Sequence, residues 1–296
     1  RTLVVSEGRS GGRTRLVQVR LKPRGSMPPF VVSATSPDIW GITLNGSARI
    51  TGNMHTEGRS SSAVIANGSV KSNGGLYVRP DANVEGIRKE VGKHFQGGVD
   101  VDPEEYEYPM PVAPSGLTYR GNVWANGTPV TISASGQYGD FSINGGKLTV
   151  DTSGGDTTVH VKKDFVLNGT PNLTITGDGA FRLYVDGNVT LNGSTKGTAL
   201  DDPTKFAVFC RGRWVTLNGS PSIAAVIYAP QSHITFNGHG DFIGAVVGKE
   251  IVNNGSGTMV FPAAYRDRIT DIDIGGAGGP PIIETGSWSE LSRGAD

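Results

Sequence analysis

The chain has 296 residues, 44 of them glycine, and its 27 Lys and Arg are matched by 27 Asp and Glu. Glycine at about 15%, roughly twice the usual ~7%, is scattered among Val, Ile, Thr and Asn; that signals many tight turns between short strands and excludes a collagen repeat. Net neutrality gives no general pull toward a polyanion or a membrane, no apolar run approaches ~18 residues, and the single Cys210 excludes an intramolecular disulfide.

In chain order, residues 1–24 read first as a basic hairpin. Thr2–Ser6 and Thr14–Leu21 are strand-like and joined through Gly8-Arg9-Ser10-Gly11-Gly12. Arg1, Arg9, Arg13, Arg15, Arg20, Lys22 and Arg24 face only Glu7, a local balance of 7 − 1 = +6.

A repeat of the form apolar–x–apolar–Asn–Gly–small follows. Its nine copies carry Asn45, Asn67, Asn126, Asn144, Asn168, Asn192, Asn218, Asn237 and Asn254. From Asn126 the steps are 18, 24, 24, 26, 19 and 17 residues, about one coil of a solenoid each. Alternation puts the first and third residues of each hexad on a buried face. Asn-Gly then turns the corner, with Asn tolerating and Gly favouring positive φ. A hairpin would use the same dipeptide, but the next copy comes a full coil later in the same direction, so parallel stacking is expected. Asn144, Asn168, Asn192, Asn218, Asn237 and Asn254 are expected to form a structural ladder of amides. Nine rungs at ~4.8 Å give a rod on the order of 40 Å. The ladder also accounts for the Asn-Gly-Ser/Thr triplets better than glycosylation does.

Between the hexads, strand-like runs at Lys147–Val150, Thr157–Val161, Leu173–Thr176, Phe181–Val185, Phe206–Cys210, Ala224–Tyr228 and Phe242–Val247 supply the other faces. Cys210 ends an apolar run and is expected to be a buried, inert thiol. The step from Asn67 to Asn126 is 59 residues, too long for one coil. It holds a short helix (Val84–Phe95) and the proline-rich acidic segment Val101–Pro114, an excursion at about 79–120 that packs along the rod. Asp100, Asp102, Glu104, Glu105 and Glu107 lack the spacing of a calcium loop and read as solvated. After a linker at Gly275–Pro281, a last strand-like run lies near Ile282–Leu291. The expected fold is all-β: residues 1–30 and 266–296 form one small sheet, and residues 31–265 are a parallel β-solenoid (β-helix) inserted between them.

Three segments carry a family resemblance. Leu3-Val4-Val5-Ser6-Glu7-Gly8 with Gly11-Gly12-Arg13-Thr14-Arg15 resembles the first hairpin of PilX-type minor pilins. Ile227-Tyr228-Ala229-Pro230, Phe236-Asn237-Gly238 and Phe242-Ile243-Gly244-Ala245-Val246-Val247 are similar to the solenoid module of bacterial pilus-associated proteins. Gly286-Ser287-Trp288-Ser289-Glu290-Leu291 resembles the strand that closes such pilins. The resemblance implies a type IV pilin-like ectodomain at a pilus tip on the cell surface, other pilus subunits as partners, and a part in capturing DNA for uptake. It also implies a hydrophobic helix upstream of Arg1, with the abrupt start in a strand read as the mark of its removal.

Capturing DNA needs Lys or Arg for phosphates and aromatics for unpaired bases. The candidates are Arg211, Arg213 and Trp214 on one coil, Lys162 and Lys163 two hexads earlier, and Lys205; the bland alternative is solvated coil corners. An adhesin, with the solenoid as a stiff spacer presenting loops to a host surface or polysaccharide, shares the fold and location and differs in ligand. An enzyme is not expected. Asp201-Asp202, Gly238-His239-Gly240 and Arg268-Ile269 echo the motifs of β-helix pectinases, but the first motif of that set is missing and Thr270 stands where Lys belongs. Glycoside hydrolysis needs two placed carboxylates. No cofactor or metal is implied, because His55, His94, His160 and His233 lack ligand spacing.

Overall fold

The computed structural model describes residues 2–10, 13–22, 26–169, 173–192, 202–219, 222–274, 282–283 and 289–291. Its main body is a parallel β-solenoid with three faces. The hexads form one face in matched register: Phe141 pairs with Phe165, then Val189, Val215, Ile234 and Ile251. First and third hexad residues point inward, so Phe141, Ile143, Phe165 and Leu167 have no exposed surface while Ser142 and Val166 between them face out. Identical positions stack inside the rod. The Phe141 and Phe165 rings lie 4.9 Å apart and Phe181 and Phe206 5.2 Å apart at 2°.

The turn chemistry divides between the two corner residues. Glycine alone takes the left-handed region, at φ 73° for Gly46, 90° for Gly169 and 129° for Gly238, while no described Asn has positive φ. The asparagine instead uses its side chain. Asn168 donates to Asn144 at 3.0 Å, Asn192 to Asn168 at 2.7 Å, Asn218 to Asn192 at 2.6 Å, Asn237 to Asn218 at 2.7 Å and Asn254 to Asn237 at 2.8 Å. Each amide in mid-ladder gives one bond and takes one. Asn218→Ala removes both, which lowers stability by about 1–2 kcal/mol in urea unfolding, whereas Asn126→Ala on the terminal coil stays within about 0.5 kcal/mol.

The coils do not stack in chain order. Asn45 donates to Asn254 at 2.7 Å and Asn67 to Asn45 at 2.9 Å, so the first two hexads extend the ladder beyond the last. The backbone agrees: Ile251 pairs with Ile42, which pairs with Val64. One end of the rod is therefore the coil of Val123–Asn126, and the other is the pair of strands Leu76–Val78 and Val99–Val101. Helix α1 (Val84–Val91) packs beside that second end, burying Ile87 and Val91; Asn83 caps it by accepting from the Gly86 N–H.

This order requires the chain to return the length of the rod, and residues 102–111 do so as an extended strap across the third face. They are not a solvated loop. Pro103, Glu105 and Glu107 are exposed, while Asp102 is buried and Glu104, Tyr106 and Tyr108 turn toward the rod. The strap explains the unbroken apolar runs. Tyr228 faces out of its coil yet is 0% exposed, and its hydroxyl donates to the Pro109 carbonyl at 2.7 Å, while Phe209, 1% exposed, stacks on Tyr184 of the preceding coil at 4.5 Å. Strands covered on both faces read as continuous hydrophobic runs. Cys210 lies in one of them, fully buried, and burial pushes its thiol up to about 11.

A buried polar cluster docks the strap. The Tyr108 hydroxyl is 3.3 Å from His55 Nδ1, Phe30 stacks on the His55 ring at 5.1 Å, and Arg79 pairs with buried Glu57 at 2.9 Å. Burial, helped by the Arg79 charge, lowers the His55 pKa from 6.5 to about 4. Burial also raises that of Glu57, against the opposing pull of Arg79. A histidine kept neutral in the folded state favours unfolding once the unfolded chain can bind the proton. Its contribution is thus present above pH 6.5 and is lost as pH falls toward 4. Glu57 works in the opposite sense. Between neutrality and about pH 5 the His55 contribution to stability falls by about 2 kcal/mol, and His55→Phe removes this part of the acid sensitivity in thermal melts.

The two chain ends meet. Ser26 bridges Asp273 in antiparallel fashion where the chain enters and leaves the rod, on neighbouring coils. Beyond that point Thr2–Ser10 and Arg13–Lys22 form a hairpin, and Ile282–Ile283 and Ser289–Leu291 both pair antiparallel with its second strand. The expected linker at Gly275–Pro281 lies outside the described residues. No helix among the described residues is long and apolar enough to cross a membrane.

Candidate binding faces

Five of the six predicted cationic-site residues come to one corner of the rod, the one leading into the hexad strands. Lys162, Lys163, Arg211, Arg213 and Trp214 stand there on coils separated by the turn Asp186-Gly187-Asn188. That turn changes their meaning. Asp186 takes Lys162 at 3.2 Å, Arg211 at 3.6 Å and His160 at 3.1 Å, and Asp140 takes Lys163 at 3.0 Å. Along the whole corner Lys162, Lys163, Arg211, Arg213 and Lys249 face Asp38, Asp140, Asp164, Asp186 and Glu250. Such exposed pairs add little stability, but they cancel the long-range field that a polyanion would follow. Arg213 and Lys249 are the exceptions, forming no ion pair with a described residue. Beside Arg213, Trp214 is 50% exposed and stacks on His233 at 4.7 Å; His233 in turn meets Glu250 at 2.8 Å.

Lys205 is not part of that corner. It donates to the Asp178 carbonyl at the edge of a separate cleft of about 350 Å³, lined also by Asp156, Arg182, Thr204, Arg268 and Asp271. Burial lowers the Arg182 pKa there, and its guanidinium donates to the Thr204 carbonyl at 2.8 Å. The pectinase-like residues are held in structural bonds. Asp202 caps the turn Pro203–Lys205 by accepting from the Thr204 N–H and pairs with Arg268 at 2.9 Å, which ties α2 (Arg266–Thr270) to the rod. Burial opposes ionisation of Asp202, but the Thr204 and Arg268 bonds leave its pKa lowered. His239 sits at the Asn-Gly corner, 2.6 Å from the Ser256 hydroxyl. Asp201 lies outside the described residues. Among the described residues no three His, Cys, Asp or Glu side chains converge as metal ligands.

The extended surface that remains open is the Asn-Gly face. Its outward row runs Trp124, Ser142, Val166, Thr190, Thr216, Thr235, Val252, Thr43 and Ile65, one residue per coil and none charged. All but Trp124 are half-buried, so the row is flat. Beside it runs the amide ladder at the same repeat of ~4.8 Å. Sequence reasoning concentrated on cations and passed over this row. The signal was available, since the middle place of each hexad points outward and Trp124 occupies one.

Comparison with known proteins gives a family and three similar folds. A family model described as Domain of unknown function (DUF7305) matches residues 115–268. No curated protein matches the chain. Among solved structures, an ice binding protein from an Antarctic Biological Consortium is similar at 16% identity and a TM-score of 0.40, covering 84% of this chain and 96% of that one. The ice-binding protein of the Antarctic ascomycete Antarctomyces psychrotrophicus is similar at 13% identity and a TM-score of 0.35, covering 78% and 93%. The competence-associated pilin ComZ from Thermus thermophilus is similar at 13% identity and a TM-score of 0.31, covering 97% and 80%. At these values none carries a functional argument.

Proposed function

The chain belongs to the family described as Domain of unknown function (DUF7305), and from that premise we propose that it is a non-enzymatic, extracellular surface-binding protein whose Asn-Gly face makes the contact. The observation that carries this reading is the face itself: flat, uncharged along its outward row, and open over nine coils. A rigid face of that kind suits a solid or repetitive surface, because its side chains are already fixed and lose little freedom on binding.

A pilin-like base is supported by two features. The rod hangs from adjacent coils through the Ser26–Asp273 bridge, and both chain ends share one antiparallel sheet. The pilin-like sequence of those ends supports other pilus subunits as partners and a pilus tip as the location. Retention of purified protein on polysaccharide particles, mineral and growing ice tests the face. Thr190→Lys/Thr216→Lys/Thr235→Lys is expected to abolish retention with the circular dichroism spectrum unchanged. Retention equal to that of the unaltered chain would overturn the reading.

DNA capture is the second reading, favoured by Arg213, which has no ion-pair partner among the described residues, beside the exposed Trp214. Binding to single-stranded DNA that weakens steeply with salt and is lost in Arg211→Glu/Arg213→Glu would favour it. No binding at low salt would exclude it.

A further inference from the structure

Tryptophan is highly buried on average, yet Trp124, Trp40 and Trp214 are 72%, 54% and 50% exposed. All three stand on the Asn-Gly face or its leading corner. Trp124 shares its row with Ser142, Val166, Thr190 and Thr216, which puts it four rungs from the coil of Trp214. Trp214 pairs with His233 and His233 with Glu250, and Trp40 lies one coil further, three rungs from Trp214. At ~4.8 Å per rung the rings are spaced ~19 Å and ~14 Å along the rod.

One of these rings is held in place, and the backbone of a second is set in an unusual conformation. Trp214 stacks on His233 at 4.7 Å. Trp40 has φ 59°, the left-handed region, and is the one described non-glycine residue found there. That conformation is strained for a bulky side chain, and such strain persists where function uses it. The ring gains little burial to offset it.

We infer that these three spaced rings bind an extended, uncharged polysaccharide running along the rod, an inference that rests on the surface-binding reading above. The flat face of a pyranose presents C–H groups of slight positive charge, which stack on the electron-rich face of an indole. Each ladder amide keeps an N–H and a lone pair beyond its ladder bonds for sugar hydroxyls. The ligand is uncharged because the outward row is uncharged and, at the corner, five acids balance five cations, although Arg213 and Lys249 form no ion pair among the described residues. Single-stranded DNA could stack on the same rings, but its phosphates would meet Asp38, Asp186 and Glu250. The ligand is extended because the rings, staggered across the face, are spread over ~33 Å along one side of the rod, whereas a coiled glycan would reach only one of them.

The test is co-sedimentation with microcrystalline cellulose and chitin, against soluble amylose, polygalacturonate and single-stranded DNA. Binding to cellulose or chitin that is insensitive to salt, falls about tenfold in each of Trp40→Ala, Trp124→Ala and Trp214→Ala, and vanishes in the triple variant is the expected result. A blue shift of tryptophan emission on binding should accompany it. Undiminished binding by the triple variant, or preference for DNA or polygalacturonate, would overturn the inference. If the triple variant stays on the surface while the Thr→Lys face variant does not, the glycan inference fails and the surface-binding reading stands. If both variants stay, both fail.

Discussion

A Gly238→Ala chain is expected to yield no folded solenoid. Gly238 has φ 129°, and a Cβ there would lie 1.4 Å from the carbonyl oxygen of Gly219 on the neighbouring coil. Backbone cannot move aside as the tip of a side chain can. Relief requires the two coils to separate at the corner where Gly219 pairs with Gly238 and where Asn237 donates to Asn218 at 2.7 Å. The loss should exceed about 4 kcal/mol, the range reserved for a named steric or cavity mechanism. The readout is loss of soluble protein, or of the cooperative thermal transition. Gly145→Ala is the control. It holds the same hexad position with φ 72°, but nothing lies within 4 Å of its Cβ. It should cost only the ~1–2 kcal/mol of the left-handed conformation. Equal effects of the two substitutions would mean that backbone conformation, not coil spacing, sets the cost.

Phe181→Ala should lower stability by about 3–5 kcal/mol. The ring is fully buried, stacked on Phe206 at 5.2 Å and nearly parallel, in register with Thr157 on the preceding coil. Removing it leaves a cavity that a stack of pleated coils closes poorly, since each neighbour is pinned by its own ladder. In a solenoid each repeat touches only its neighbours, so faster amide exchange should be confined at first to the coils spanning 157–219. Phe181→Leu should recover more than half of the loss. Uniform loss of protection along the chain would show that the rod unfolds as one unit instead.

Much of this architecture was legible in the hexads. The inward places of Phe141, Ile143, Phe165 and Leu167 follow from alternation, and the spacing of Asn-Gly marks the coil length. The runs Thr157–Val161, Leu173–Thr176, Phe181–Val185 and Phe206–Cys210 are strands with the bounds read from sequence. The helix expected over Val84–Phe95 is α1 followed by a tighter turn at Gly92–His94. The binding face was only half legible. Lys162, Lys163 and Arg211 look like free cations in sequence because Asp186 and Asp140 are 23 or more residues away from at least one partner. Trp40 gives no sign of its exposure, since it stands at a corner whose neighbours on adjoining coils are set by coil order.

The sequence by itself determined the local unit: a coil with an apolar interior, a glycine corner and an asparagine to bridge rungs. Those properties depend on neighbours two or three residues apart, which the side-chain alternation and φ preferences of the chain impose directly. Only the tertiary structure decided the order of the coils, because every hexad presents the same edge and nothing local distinguishes Asn126 from Asn254 as the neighbour of Asn45. The choice falls to long-range packing. The strap at 102–111 covers the third face through Tyr108, His55 and Tyr228, α1 packs at one end, and the chain enters and leaves beside itself. The same order brings Trp214 and Trp40 three rungs apart on one side of the rod, although 174 residues separate them in the chain.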